Sequence, residues 1–402
     1  NVYLTNPTWF TLNEASRYTN WVSNRQDLEE TVSAFYLRGD VRLFDNRMWI
    51  VGGVRYERTD DKGAGPKDDI SAIYKKKPDG SFERTSSGAL IPITTNALEQ
   101  AKLRYTELGT KTDKNYDGFY PSVNASYELR SDLIMRAAYA RTIGRPELTE
   151  IVPGSTIADP DSTNRTISVN NTALNPWTAD NFDLTLEAYG VKGATPSISL
   201  FQKNVTGFFA DFTETATQER VEALGLAWQD YYSTYDITTR RNAGSATIRG
   251  FEIAYRQSLD FLPGWGKRFQ VFVNYTRIHA SGPDASNFSY SPVRINYGVG
   301  YYGKKFSANL NVADGDPTRT ELRSANASTP ANTYRYTQEY PRIDLSAEYN
   351  FTRRLGVYTS IRNLTGQPQR RYEYNESTPT YARPQQYLYA GAQISAGIKG
   401  EW

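Results

Sequence analysis

Apolar and polar residues alternate along most of this chain. From Gly250 to Arg256, Phe251, Ile253 and Tyr255 alternate with Gly250, Glu252, Ala254 and Arg256. From Phe269 to Thr276, Phe269, Val271, Val273 and Tyr275 alternate with Gln270, Phe272, Asn274 and Thr276. Ile343, Leu345, Ala347 and Tyr349 oppose Arg342, Asp344, Ser346 and Glu348; Leu355, Val357 and Ile361 oppose Gly356, Tyr358, Ser360 and Arg362. Successive side chains of a strand point to opposite faces, so each segment predicts a strand with one apolar and one polar face. Helical spacing is scarce, and Asn96 to Leu108 is the best candidate for a short helix.

The pattern predicts about thirteen strands, near 29–43, 48–60, 116–129, 132–143, 179–190, 195–212, 241–259, 267–280, 290–302, 304–314, 337–350, 354–364 and 386–402. Short turns and long polar loops alternate between them. The turns lie near Asp45-Asn46-Arg47, Arg130-Ser131, Gly190 to Gly193, Asp260 to Gly266, Gly303 and Asn350 to Arg353. The loops lie near 61–115, 144–178, 213–240, 281–289, 315–336 and 365–385. This describes an all-β, antiparallel up-and-down sheet whose two ends differ chemically. Strands of this length, with short periplasmic turns and long extracellular loops, fit a transmembrane β-barrel. A soluble sandwich or lipocalin-like barrel also alternates, but one soluble core rarely needs so many long strands.

Parity carries the reading further. If the last strand ends at the periplasm, strand 29–43 starts outside, and residues 1–28 form the tail of an extracellular loop. A closed barrel of this kind has an even strand number, and open edges cannot sit in hydrocarbon. Residues 29–402 are therefore expected to be the C-terminal part of a larger barrel.

Composition narrows the function. The chain has 402 residues, and its mean hydropathy is −0.63. Apolar runs such as Met48 to Val54 fall short of the roughly 18–20 residues that a membrane helix needs. Lys+Arg (46) nearly balances Asp+Glu (44), which argues against a nucleic-acid partner. There is no Cys and one His (His279), which removes Cys/His zinc sites, disulfides and thiol catalysis. Asp159, Asp161 and Asn164 lack the bidentate Glu of a calcium loop, and Gly63-Ala64-Gly65-Pro66-Lys67 lacks the spacing of a phosphate loop. No enzyme, metal or cofactor is expected.

Several stretches resemble the C-terminal barrel of TonB-dependent outer-membrane receptors: Gly52 to Thr59, Tyr139 to Gly154, Asn171 to Gly190, Asn242 to Gly264 and Ile361 to Tyr374. Their order over residues 48–402 carries the resemblance. It implies a barrel of about 22 strands, of which these would be the last thirteen, in the outer membrane of a Gram-negative bacterium. It also implies capture of a scarce solute by the extracellular loops and import driven by TonB. TonB would act through a plug domain, and neither plug nor TonB box has a counterpart in this chain. Outer-membrane lipid, lipopolysaccharide and the barrel assembly machinery are the other partners implied. Oligosaccharide and iron-siderophore are the leading ligands. A receptor-like anchor for a surface protein assembly and a passive porin are the competing functions.

The candidate ligand-binding residues are aromatic or basic and lie in or beside the long loops: Trp177, Trp228, Tyr231, Tyr232, Tyr235, Tyr334, Tyr336 and Tyr372, with Arg240, Arg241, Arg370 and Arg371. Flat amphipathic rings stack on sugars and other planar ligands, and guanidinium pairs clamp carboxylate or phosphate. Rings near strand ends also fit an interfacial girdle. Glu252, Arg256, Arg342, Asp344, Glu348 and Arg362 are expected to face the lumen. Ile394, Ile398 and the terminal Trp402 form an expected assembly signal, although Gly400 departs from the usual pattern.

Overall fold

The computed structural model describes residues 5–9, 11–223, 228–242, 244–283, 285, 288–323, 329–330, 332–338 and 341–400. The long strands, labelled in chain order, are β1 (Asp27–Leu43), β2 (Met48–Asp69), β3 (Tyr105–Arg130), β4 (Leu133–Gly144), β5 (Trp177–Ala188), β6 (Ser197–Thr206) and β7 (Ser245–Ser258). Then follow β8 (Phe269–Ser281), β9 (Val293–Tyr302), β10 (Phe306–Gly315), β11 (Arg342–Asn350), β12 (Leu355–Arg362) and β13 (Gln393–Gly400). Each pairs antiparallel with its neighbours in this series, from β1–β2 through to β12–β13. The sheet is thus an up-and-down meander. Among the described residues it is not closed, because no pairing joins β1 to β13.

Register explains why one face is greasy. Ala137, Leu184, Leu200 and Phe251 are successive cross-strand partners, as are Ile198, Ile253, Tyr275 and Ile295. Val299, Leu310, Leu345, Ile361 and Ile394 form a further row of partners on the same face toward β13. These residues all carry one parity on their strands, so their side chains share one face. Many stay bare: Leu200 is 50% exposed, and Ile394 and Ile398 are 70% and 75% exposed. A contiguous apolar band of this extent demands an apolar neighbour.

The opposite face is polar and laced with ion pairs. Arg136 meets Glu187 across β4–β5, Arg342 meets Asp344 on β11, and Lys399 of β13 meets Glu348 of β11. Glu252, Arg256 and Arg362 lie on this face by strand parity and are exposed.

Buried side chains gather instead at the end where the long connections lie. Three of the expected strands are interrupted there. The 195–212 segment breaks at Gly207, whose φ of +73° ends β6 before a second strand, Phe209–Thr215. Segment 241–259 is likewise two pieces, Asp236–Asn242 and β7. Segment 386–402 splits at Gly391 (φ +66°), so that Pro384–Leu388 belongs to a separate small sheet and only Gln393–Gly400 continues the meander. The helix expected at 96–108 is Ala97–Arg104, capped by the Asn96 side chain, which accepts from the Leu98 and Glu99 amides. A further helix, Glu14–Ser23, lies in the 1–28 segment.

Candidate functional site

The connections after β2, β4 and β6 fold into one layer rather than lying as separate loops. The tip of β2 runs parallel to Ser155–Ile157, which pairs with Thr166–Val169, which runs parallel to Asp236–Asn242, which pairs with Phe209–Thr215. Side chains from three of these pieces and from the 216–235 stretch make a common core: Ile157, Ile167 and Ile237 with Val221, Tyr232 and Tyr235, none more than 3% exposed. The Tyr235 hydroxyl donates to the Ala158 carbonyl at 3.0 Å. Above this core, Tyr74 donates to Asp159 Oδ2 at 2.5 Å and Arg84 pairs with Asp161 at 2.9 Å, tying the 70–104 connection to the 145–176 one.

Tyr74 makes this tie sensitive to pH. Burial first, then the hydrogen bond and charge of Asp159, push its phenol up to about 12 from 10.0. A raised folded-state value means that the stabilisation is complete below pH 10 and is lost as pH climbs toward 12. The protection of the amides of residues 155–165, measured relative to an unstructured chain at the same pH, is expected to fall across that window. Tyr74→Phe should remove most of this pH-dependent fall, and an unchanged profile in that variant would assign it elsewhere.

The layer is seated on the polar face of the β2–β3 ribbon. Arg145, just past β4, bonds the buried carboxylate of Glu57, which Arg55 also holds at 2.6 Å, and its Nε donates to Thr59 at 3.3 Å. Thr110 donates to the Pro153 carbonyl at 2.9 Å, and Lys114 donates to the Leu174 carbonyl. The two glycines of the Gly63–Lys67 stretch explain the close fit. A Cβ on Gly65 would sit 2.2 Å from the Pro153 carbonyl oxygen, and one on Gly63 would sit 2.9 Å from that of Ile151. Backbone cannot yield as a side-chain tip can. Gly65→Val is therefore expected to lift residues 151–153 at a cost of about 1–3 kcal/mol, read as faster amide exchange there; unchanged exchange would refute the seat.

Between ribbon and layer lies a cavity of about 400 Å³. Asp68, Glu150, Ser155, Asn171, Asp211 and Arg240 contribute its polar lining. Arg240 bonds Glu150 and faces Asp211 at 3.3 Å, and Asn171 Nδ2 donates to the Arg240 carbonyl at 2.8 Å. Three buried polar atoms of the lining, Glu150 Oε2, Ser155 Oγ and Arg240 Nε, have no hydrogen-bond partner among the described residues.

The sequence candidates fall in several places. Arg240 lines the cavity, whereas Arg241, the next residue on the strand, turns to Glu214. Tyr232 and Tyr235 are packed inside the layer, with Tyr231 and Trp228 against them, so these rings hold loops together. Burial pushes the phenols of all three tyrosines up. Trp177 opens β5 and lies on Gly144, where a Cβ would come within 2.0 Å of its ring. Tyr334, Tyr336, Arg370, Arg371 and Tyr372 meet on the separate four-stranded sheet of Thr318–Leu322, Tyr334–Gln338, Gln369–Tyr374 and Pro384–Leu388. There Tyr336 stacks on Tyr374 at 4.2 Å, and the Arg319 guanidinium lies between the Tyr290 and Tyr334 rings at 5.1 and 5.0 Å. Strand alternation sends Arg370 and Arg371 to opposite faces, as it does Arg240 and Arg241, so neither pair forms a two-guanidinium clamp. Ile394 and Ile398 sit on the apolar face of β13; Trp402 lies outside the described residues.

A family model for the TonB-dependent receptor-like β-barrel matches residues 3–364. The chain belongs to the TonB-dependent receptor β-barrel family. That family consists of outer-membrane transport receptors rather than enzymes, and its members engage TonB through a plug. Among solved structures, the chain is similar to the ferric enterobactin receptor PfeA of Pseudomonas aeruginosa, with 13% identity and a TM-score of 0.54 over 93% of this chain and 54% of that one. It is similar to the siderophore receptor PirA of Acinetobacter baumannii at 14% identity and a TM-score of 0.55, covering 93% and 55%. The copper transporter OprC gives 12% and 0.56, covering 93% and 48%. At these identities the likeness is one of fold, and the chain spans about half the length of these receptors. No curated protein matches the chain.

Proposed function

We propose that this chain is the C-terminal part of the barrel of an outer-membrane receptor that imports a scarce solute with energy delivered by TonB. The observation that carries this reading is the unequal build of the two sheet ends. One end has only short turns. At the other, three long connections fold into a layer with its own core and a polar cavity. In this reading the layered end is extracellular and captures solute, and the turns face the periplasm. The apolar band meets lipid, and Glu252, Arg256, Arg342, Asp344, Glu348 and Arg362 face the lumen and the plug. The bare edges of β1 and β13 pair with further strands toward about 22, because each unpaired backbone group in hydrocarbon costs several kcal/mol. An oligosaccharide or an iron chelate is the expected class of solute.

Cells lacking the receptor that carries this chain should lose high-affinity uptake of its solute, and TonB-deficient cells should show the same loss. Uptake that persists without TonB would replace this reading with a passive pore.

A further inference from the structure

We infer that the cavity under the loop layer binds a neutral polyhydroxylated solute, such as a sugar unit, and discriminates against anionic ligands. This rests on the receptor reading above and deepens it.

The charges come first. Asp68, Glu150 and Asp211 line the cavity against a single lining cation, Arg240. That guanidinium is already engaged by Glu150 and Asp211, and Asp68 is answered by Arg104 from the adjoining helix at 2.6 Å. An entering anion would meet three carboxylates and a guanidinium whose charge Glu150 and Asp211 already offset; the Arg240 Nε has no hydrogen-bond partner, but one N–H falls short of the bidentate pair that carboxylate or phosphate recognition calls for.

The hydrogen-bonding groups supply the positive half of the argument. Ser155 is 7% exposed, and its hydroxyl has no partner, nor has the second carboxylate oxygen of Glu150. A buried polar atom left unpaired costs free energy that a ligand hydroxyl can recover. The carboxylates accept, the Ser155 hydroxyl donates or accepts, and the lining is otherwise rich in Ser, Thr and Asn, including Ser168 and Thr238. Such a set suits a solute that offers several O–H groups, each both donor and acceptor. The volume of about 400 Å³ lies in the range of small-molecule sites. Tyr105 is the one aromatic residue of the wall among the described residues.

The test uses the receptor carrying this chain, purified in detergent, on a printed array of neutral oligosaccharides with oligogalacturonates of equal length beside them. Neutral spots should bind, with uronates roughly tenfold weaker or worse, as expected where three carboxylates outnumber the arginines that answer them in a partly desolvated site. Asp211→Asn, at an exposed side chain, should narrow that gap. Ser155→Ala removes a buried hydroxyl that no protein group uses, so it should keep or raise the thermal unfolding temperature while weakening neutral binding several-fold. Uronates that bind as well as neutral sugars, or an array with no neutral binding, overturns the inference. If in the latter case the receptor still supports TonB-dependent uptake of an iron chelate, the transport reading survives and only the substrate class falls.

Discussion

Tyr232→Ala is expected to unlock the loop layer while leaving the meander paired. The ring is 3% exposed and packs among Ile157, Ile167, Val221 and Ile237. Its centroid is 4.6 Å from that of Tyr231 and 5.6 Å from that of Tyr235. Truncating a buried aromatic to alanine costs about 3–5 kcal/mol, counting the lost transfer energy and the cavity left behind. Rapid proteolysis within 207–244 and loss of cavity binding should follow, with the barrel still resistant. Tyr232→Phe keeps the ring and should stay close to the parent protein. Equal protease resistance in Tyr232→Ala and parent would mean that this core does not set the layer's stability.

That prediction touches what could not be read from the chain. Period two was legible wherever one medium covers one face along a whole strand, as at Phe251, Ile253 and Tyr255, because the face repeats every second residue. The long connections carry no such repeat. Ile157, Ile167, Val221 and Ile237 each stand among polar neighbours, and only pairing between distant segments brings them together. Hence the loop tyrosines read as ligand platforms, while two of them are sealed inside a core. The cavity was hidden for the same reason: Glu150, Ser155, Asn171 and Asp211 form no motif and meet through the parallel and antiparallel pairings of the layer. One signal was available. Gly63 and Gly65, two apart in a strand register, share a face, and glycines so spaced mark a close backbone approach. The same alternation that revealed the strands puts the two members of each arginine doublet on opposite faces.

Ile253→Arg is expected to hinder barrel assembly, whereas Ala254→Arg, one residue on, should be tolerated. Ile253 lies between Ile198 and Tyr275 on the apolar face and is 42% exposed, so nothing in the chain covers it. If lipid covers that face, an arginine near the bilayer midplane costs about 2–4 kcal/mol. Ala254 pairs with Ser197 and Asn274 on the polar face, where a guanidinium stays in water. The two variants carry the same charge on adjacent residues of one strand, so their difference isolates the medium on each face. The readout is the fraction of receptor that reaches the outer membrane as the compact, heat-modifiable form on gels. Equal assembly of both variants, at the parent level, would mean that the apolar band does not face hydrocarbon. If instead Ala254→Arg alone fails, the faces are assigned the wrong way round and the polar side cannot be a wet lumen.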